Sequence, residues 1–324
     1  MSQIDQIKVP IKNEMQEFEK YFKQSMDSNI PFLNVILNYI LRRKGKQMRP
    51  MFVFLTSKLT GDTNNTSFTA ASLIELLHTA TLIHDDVVDE SYKRRGYFSL
   101  NALWKSKVSI LIGDYLLSRG LLLAVQEKQY EMLEIVSDAV KAMSEGELLQ
   151  IKKSRKMFIT EDEYFEIIGK KTASLISACT ACGARATTED ANIINTMKLF
   201  GERVGLAFQI KDDLLDYQNK GGIGKPTGND VKEKKVTLPL IYGLNNADEK
   251  TRKKIKKIFG KKRKTKKEVK EIIDFVKINQ GILLAQEKMH QLKNEAIEML
   301  EPYSEKSSYE SLKQLVEFTV NRQK

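Results

Sequence analysis

Apolar residues recur three and four positions apart along nearly the whole chain, the spacing that lines one face of an α-helix. The pattern predicts helices over about 9–24, 30–43, 48–60, 67–90, 99–126, 129–151, 161–182, 189–218 and 236–246. Further helices are expected over 266–279, 281–301 and 305–320. Breakers fall between them: Pro31, Gly45, Gly61 with Asp62, Gly96, and the run NKGGIGKPTGND at 219–230. No convincing stretch alternates apolar and polar residues as a strand would, and no short fixed period marks a solenoid. The reading is one all-α domain over residues 1–324, built on long core helices.

Composition changes this picture little. A chain of 324 residues with 41% hydrophobic and 29% charged residues is long and apolar enough to bury a substantial core. Only 6 prolines and 17 glycines argue against a β-sandwich or a low-complexity chain. No segment approaches the roughly 18 uninterrupted apolar residues of a membrane span. The N-terminal MSQIDQIKVPIKNEMQEFEK lacks the apolar centre of a signal peptide, so the expected address is the cytoplasm. Cys179 and Cys182 form a C-T-A-C inside TASLISACTACGARA. No second C-x-x-C and no histidine lies near in sequence, so buried structural thiols are expected, not zinc or redox chemistry.

The net charge of +11 is concentrated. Residues 250–270, KTRKKIKKIFGKKRKTKKEVK, hold thirteen basic residues and one acid, which leaves the remainder of the chain near neutral. A general basic surface for nucleic acid is therefore absent, and the segment lacks the aromatic interleaving of a stacking platform. It reads as a solvated, lysine-rich helical connection able to make a weak association with an anionic membrane surface.

Chemistry enters with the aspartates. HDDVVDESYKRRG at 84–96 follows one of the most apolar runs, ASLIELLHTATLI, and IKDDLLDY at 210–217 repeats its D-D-x-x-D. On a helix Asp85 and Asp89 share a face, as do Asp212 and Asp216, with Asp86 and Asp213 to the side. Carboxylates packed this closely repel and call for a cation. An all-oxygen donor set suits magnesium, which keeps several waters and favours phosphate oxygens. Each motif ends a helical run instead of opening one, so neither is an N-cap.

A phosphorylated ligand also needs cations from the protein. GKQMRP at 45–50 supplies Lys46 and Arg49, and Arg94 and Arg95 follow the first aspartates. Lys171 and Thr172 lie on another helix, and Gln209 sits one turn before Asp213. The GGIGKPTG run at 221–228 is not a P-loop, because the lysine spacing is wrong and no strand precedes it. It reads as a flap beside the second aspartates, with Lys225 and Lys235 in reach of an anion. Together these groups describe one metal-bound anion and a second, metal-free anion site.

GKQMRP, HDDVVDESYKRRG, GDYLLSRG, KTASL, FQIKDDLLDY and GKPTGNDVKEKKVTLP, in that order over about residues 40–240, resemble the trans-polyprenyl diphosphate synthases. Lys234 stands where that family often has glycine. The resemblance implies an antiparallel helical bundle around a deep central cavity, usually a homodimer. It implies magnesium on an allylic diphosphate, farnesyl or geranyl, held by Asp85, Asp89 and Asp212 with Asp86, Asp213 and Asp216 in support. Lys46, Arg49, His78 and Arg95 would bind isopentenyl diphosphate. Arg94, Lys171, Thr172, Gln209 and Lys225 would face the allylic substrate, with Lys235 beside them and Lys171 counted among the catalytic groups.

Thr81 lies one turn before Asp85, about 6 Å deeper along the axis. Ala80 stands where short-chain members of the family carry an aromatic plug. Two small residues here imply a deeper floor, near Leu77, and a long all-trans product of the octaprenyl type. The alternatives are a shorter-chain synthase, farnesyl or geranylgeranyl, and a terpene cyclase, which needs no second anion site. A non-catalytic subunit is disfavoured by two intact aspartate motifs.

Overall fold

The computed structural model describes residues 2–43, 45–94, 96–154, 158–217 and 228–321. Helices α1 (Gln3–Ile7), α2 (Lys12–Ser25), α3 (Pro31–Leu41), α4 (Met48–Thr60) and α5 (Asn65–Val88) come first. A hairpin of β1 (Lys93–Arg94) and β2 (Tyr97–Phe98) follows, then α6 (Leu100–Gln126), α7 (Tyr130–Ser154), α8 (Glu161–Ile168), α9 (Ser174–Arg185) and α10 (Ala191–Tyr217). The remainder is α11 (Asn229–Lys232), α12 (Leu238–Asn246), α13 (Glu249–Phe259), α14 (Lys266–Ile278), α15 (Gly281–Glu298) and α16 (Tyr309–Asn321). The chain is all-α, as its periodicity predicts. Capping boxes start several helices where the sequence supplies them, Asn64 with Ser67, Thr160 with Glu163 and Thr265 with Glu268.

The residues group into two compact units. The first comprises Met1–Val140, Ala178–Lys198 and Pro302–Gln314; the second comprises Lys141–Ser177, Leu199–Glu301 and Leu315–Lys324. In the first, α4 is buried almost all round, from Pro50 through Ser57, because its sequence offers no polar face there. Phe54 of this helix interlocks with Phe18 and Phe68, with edge contacts at 5.8 and 5.0 Å between centroids. In the second, α10, α12 and α15 close one core around Ile210, Leu214, Leu238 and Met289. A neighbouring core gathers Leu244, Ile255, Phe259, Ile272 and Val276.

Three features depart from the sequence reading. The first is the hairpin. It pairs Lys93 with Phe98 and Arg94 with Tyr97 around Gly96, too few residues to show a period of two. Its anchor is distant in sequence: Tyr39 Oη donates to the Phe98 carbonyl at 2.9 Å, and the Arg43 guanidinium lies 3.3 Å from the Tyr39 ring centre. The second is a π-helical segment, Gly169–Ala173, which joins α8 to α9 where one continuous helix is expected. The third is α6, which is broken at Lys105 (φ 65°) yet is long and apolar enough to cross a membrane by length and composition, with a mean hydropathy of 1.7. Asp114 and Arg119 interrupt its apolar run in the sequence. Its polar side is used inside the first unit, where Arg119 donates to the Ser25 carbonyl at 2.7 Å and Tyr115 to that of Asp27 at 3.0 Å.

Candidate active site

The first aspartate cluster ends α5. The Asp89 amide donates to the Asp85 carbonyl at 2.8 Å, so the helical turn persists through the cap and the two side chains share a face. Both are exposed, while Asp86 is buried. A helix C-terminus carries partial negative charge, so the backbone adds to the repulsion among these carboxylates. The arrangement therefore favours a bound cation.

Behind this cluster, His84 Nε2 lies 3.4 Å from Asp114 Oδ1 and 3.3 Å from the Ile110 carbonyl of α6. α6 approaches this closely because residue 113 is glycine: a Cβ there would overlap the imidazole. His78 is buried two turns earlier on α5. Leu77 and Ala80 are buried as well, Leu77 against α6 at Gly120, and the Thr81 hydroxyl donates to the His78 carbonyl at 2.8 Å.

GKQMRP forms the entry to α4. Gln47 is left-handed at φ 54° and caps the helix, with Lys46 exposed before it and Arg49 partly buried in the first turn. Two cations at the positive end of a helix dipole make a site for an anion. Cys179, whose ionisation feels Arg49 and Glu75, is fully buried, as is Cys182; both are free thiols. Burial pushes the Cys179 thiol up to about 12 and Cys182 higher still, so neither supplies a thiolate.

The second cluster, near the end of α10, belongs to a continuous polar network. The Thr172 hydroxyl donates to Gln209 Oε1 at 2.7 Å, and Gln209 Nε2 donates to Asp213 Oδ1 at 3.0 Å. Tyr164 Oη donates to Asp213 Oδ2 at 2.7 Å, and Lys235 Nζ donates to Asp213 Oδ1 at 3.0 Å. Asp213 is thus wholly enclosed with both oxygens engaged. Asp216 is also engaged: it accepts the Asn229 and Asp230 amides, each at 2.9 Å, and so fastens α11 to α10. Gly228 begins α11 in a left-handed conformation (φ 79°), and a Cβ there would overlap Val269 of α14. Asp212 keeps partial exposure.

Lys235 sits between Asp213 and Asp230, 3.6 Å from the latter. Burial pushes the Asp230 carboxyl up to about 7 against the pull of Lys235. Burial opposes the Lys235 charge, but Asp213 and Asp230 outweigh it and raise its pKa. Lys171, in the π-helical segment, pairs with Glu147 and lies 3.4 Å from Gln150 Oε1. Arg95 and Lys225 lie outside the described residues, as does the Arg94 side chain. Tyr164, Asp230 and Glu147 beside the second cluster, and the His84–Asp114 pair behind the first, are groups whose roles escape sequence reasoning. His84 in HDDVVDESYKRRG, Asp114 in GDYLLSRG and Asp230 in the glycine-rich run lie inside motifs read from the sequence, whereas Tyr164 and Glu147 lie in none.

Among the described residues no three Asp, Glu, His or Cys side chains form a ready-made metal cage. A hard cation that retains water and shares phosphate oxygens fits such a partial donor set.

The family model for polyprenyl synthetase matches residues 30–276. This chain belongs to the polyprenyl synthetase family. The synthase is 38% identical over 227 residues to octaprenyl diphosphate synthase of Escherichia coli (strain K12), covering 69% of each chain. It is 30% identical over 331 residues to geranylgeranyl diphosphate synthase of Sulfolobus acidocaldarius, covering 96% of this chain and all of that one. Its fold superposes with a TM-score of 0.88 on a Caulobacter crescentus polyprenyl synthase complexed with calcium and isoprenyl diphosphate. That match covers 99% of this chain and 98% of the other, at 28% identity. The synthase is a prenyltransferase with the all-α isoprenoid-synthase fold.

Proposed function

We propose that the synthase condenses isopentenyl diphosphate with an allylic diphosphate, farnesyl or geranyl, and releases a long-chain all-trans polyprenyl diphosphate. The observation that carries this is the pair of aspartate clusters, each at the C-terminal end of a long helix. Asp85, Asp89 and Asp212 would hold magnesium, which supplies Lewis-acid stabilisation of the leaving diphosphate. Asp213 and Asp216 act differently. Asp213 holds Lys235 and Gln209 in place, and Asp216 ties down the chain that returns after residue 227. Arg94, Lys171, Thr172, Gln209 and Lys225 orient the allylic diphosphate. Lys46 and Arg49 at the positive end of α4, with His78 and Arg95, hold isopentenyl diphosphate. Its alkene attacks the allylic carbon as the diphosphate departs, and loss of a proton restores a double bond.

The small, buried Ala80 supports a long product, because position 80 itself carries no aromatic ring. The exposed apolar side chains of α6, Ile110, Leu111, Leu121, Leu122 and Val125, support a homodimer that covers them. The test is incubation of the purified chain with magnesium, farnesyl diphosphate and labelled isopentenyl diphosphate, followed by dephosphorylation and chromatography. A hexaprenyl-to-nonaprenyl product is expected. Geranylgeranyl alone refutes the length, and release of an uncharged hydrocarbon without use of isopentenyl diphosphate identifies a cyclase.

A further inference from the structure

Residues 250–270 carry a net +12 while the rest of the chain carries −1. The fold partners six of these thirteen cations internally. Arg252 donates to the Leu244 carbonyl at 2.8 Å, and Lys253, Lys254 and Lys261 pair with Glu249, Glu271 and Glu268. Lys256 and Lys264 lie over the rings of Phe158 and Phe259. Lys257, Lys262, Arg263, Lys266, Lys267 and Lys270 are exposed and make no ion pair with described residues. Along α13, Lys250, Lys253, Lys254 and Lys257 recur at helical spacing, opposite the buried Ile255, Ile258 and Phe259. The start of α14 continues this cationic ridge.

The crowding is unfavourable in the isolated protein. Burial and the nearby Lys234 both pull the Lys264 pKa down. Like charges held together without internal use are explained by an external polyanion. The ridge also adjoins the site of its own unit: Lys234 precedes Lys235, and Gly228 rests on Val269 and Ile273 of α14.

We propose that this ridge docks on an anionic lipid bilayer. The choice of partner follows from the residue types. Eleven of the thirteen cations in 250–270 are lysine, a hydrated point charge on a flexible stem, and only two are arginine, the fork that reads phosphate geometry on nucleic acids. The ridge exposes no aromatic ring on which a base could stack. Mobile headgroups in a plane require only summed charge within a Debye length, about 8 Å at physiological salt. The inference draws on the proposed function for its purpose: a long prenyl chain is insoluble in water, and a synthase held at the bilayer delivers it there.

The test is co-sedimentation of the full chain, without substrates, with vesicles of phosphatidylcholine alone or mixed with phosphatidylserine. The chain should bind only the anionic vesicles and be released as salt rises to about 1 M. A variant with Lys257, Lys262, Arg263, Lys266, Lys267 and Lys270 all changed to Gln should lose at least about thirtyfold in vesicle affinity. Its turnover of soluble substrates without vesicles should be unchanged. Equal binding to neutral vesicles, undiminished binding by the variant, or preference for duplex RNA over anionic vesicles overturns the proposal. A chain that binds anionic vesicles but makes no prenyl product refutes the enzymatic reading and leaves the docking surface standing.

Discussion

Adjacent aspartates do different work. Asp212 and Asp213 are neighbours in sequence, yet Asp213 is sealed by Tyr164, Gln209 and Lys235 while Asp212 keeps solvent exposure. Asp85→Ala and Asp212→Ala should each lower turnover at saturating magnesium by at least about a hundredfold. Asp85→Ala should not lower the melting temperature, because it removes an anion from a helix C-terminus, where such charge costs about 0.3–1 kcal/mol. Calorimetry beside the activity assay separates this from a folding defect. Asp230 provides a pH test. Its folded pKa, about 7, lies above the ordinary aspartate value of 3.8, so its contribution is fully present below about 4 and is lost as pH rises through 7. Urea midpoints of the magnesium-free protein, measured from pH 4 to 8, should therefore fall more steeply for wild type than for Asp230→Asn. Parallel profiles would remove Asp230 as the source.

At the scale of elements, the first aspartate motif depends on how α6 lies against α5. Gly113→Ala should force the two helices apart at His84, directly before Asp85. Overpacking of this kind costs about 1–3 kcal/mol, and turnover should fall by more than that loss of stability explains. If a variant that remains folded at the assay temperature keeps full activity, His84 and Gly113 do not position the motif. The helices themselves were legible in sequence, since α4, α5, α10 and α14 fall within a few residues of the ranges their periodicity predicts. The hairpin was not, because its stability comes from Tyr39 and Arg43, more than fifty residues earlier. Nor was the π-helical segment, whose side chains keep a helical pattern across it.

For the whole molecule, product length is the property to test. Ala80→Tyr should place a ring on the buried side of α5 beside Thr81 and shorten the product to farnesyl or geranylgeranyl diphosphate, with the first condensation largely intact. Chromatography of the dephosphorylated products decides it, and an unchanged length distribution would remove this face from the ruler. Relatives named for octaprenyl and geranylgeranyl products match the same chain, so family membership by itself does not set the length.

The sequence alone determined what depends on neighbours along the chain: helix positions, the shared face of Asp85 and Asp89, and the gathering of charge in 250–270. Each follows from the rise and turn of a helix or from simple composition, and needs no knowledge of what packs against it. Tertiary structure decided which polar groups are consumed inside the protein. Tyr164 reaches Asp213 across 49 residues and Lys235 across 22, and Asp216 spends its carboxylate on amides 13 and 14 residues away. A buried carboxylate must find donors wherever the fold brings them. One D-D-x-x-D therefore presents two exposed carboxylates, while in its copy Asp213 and Asp216 are hydrogen-bonded to groups far along the chain.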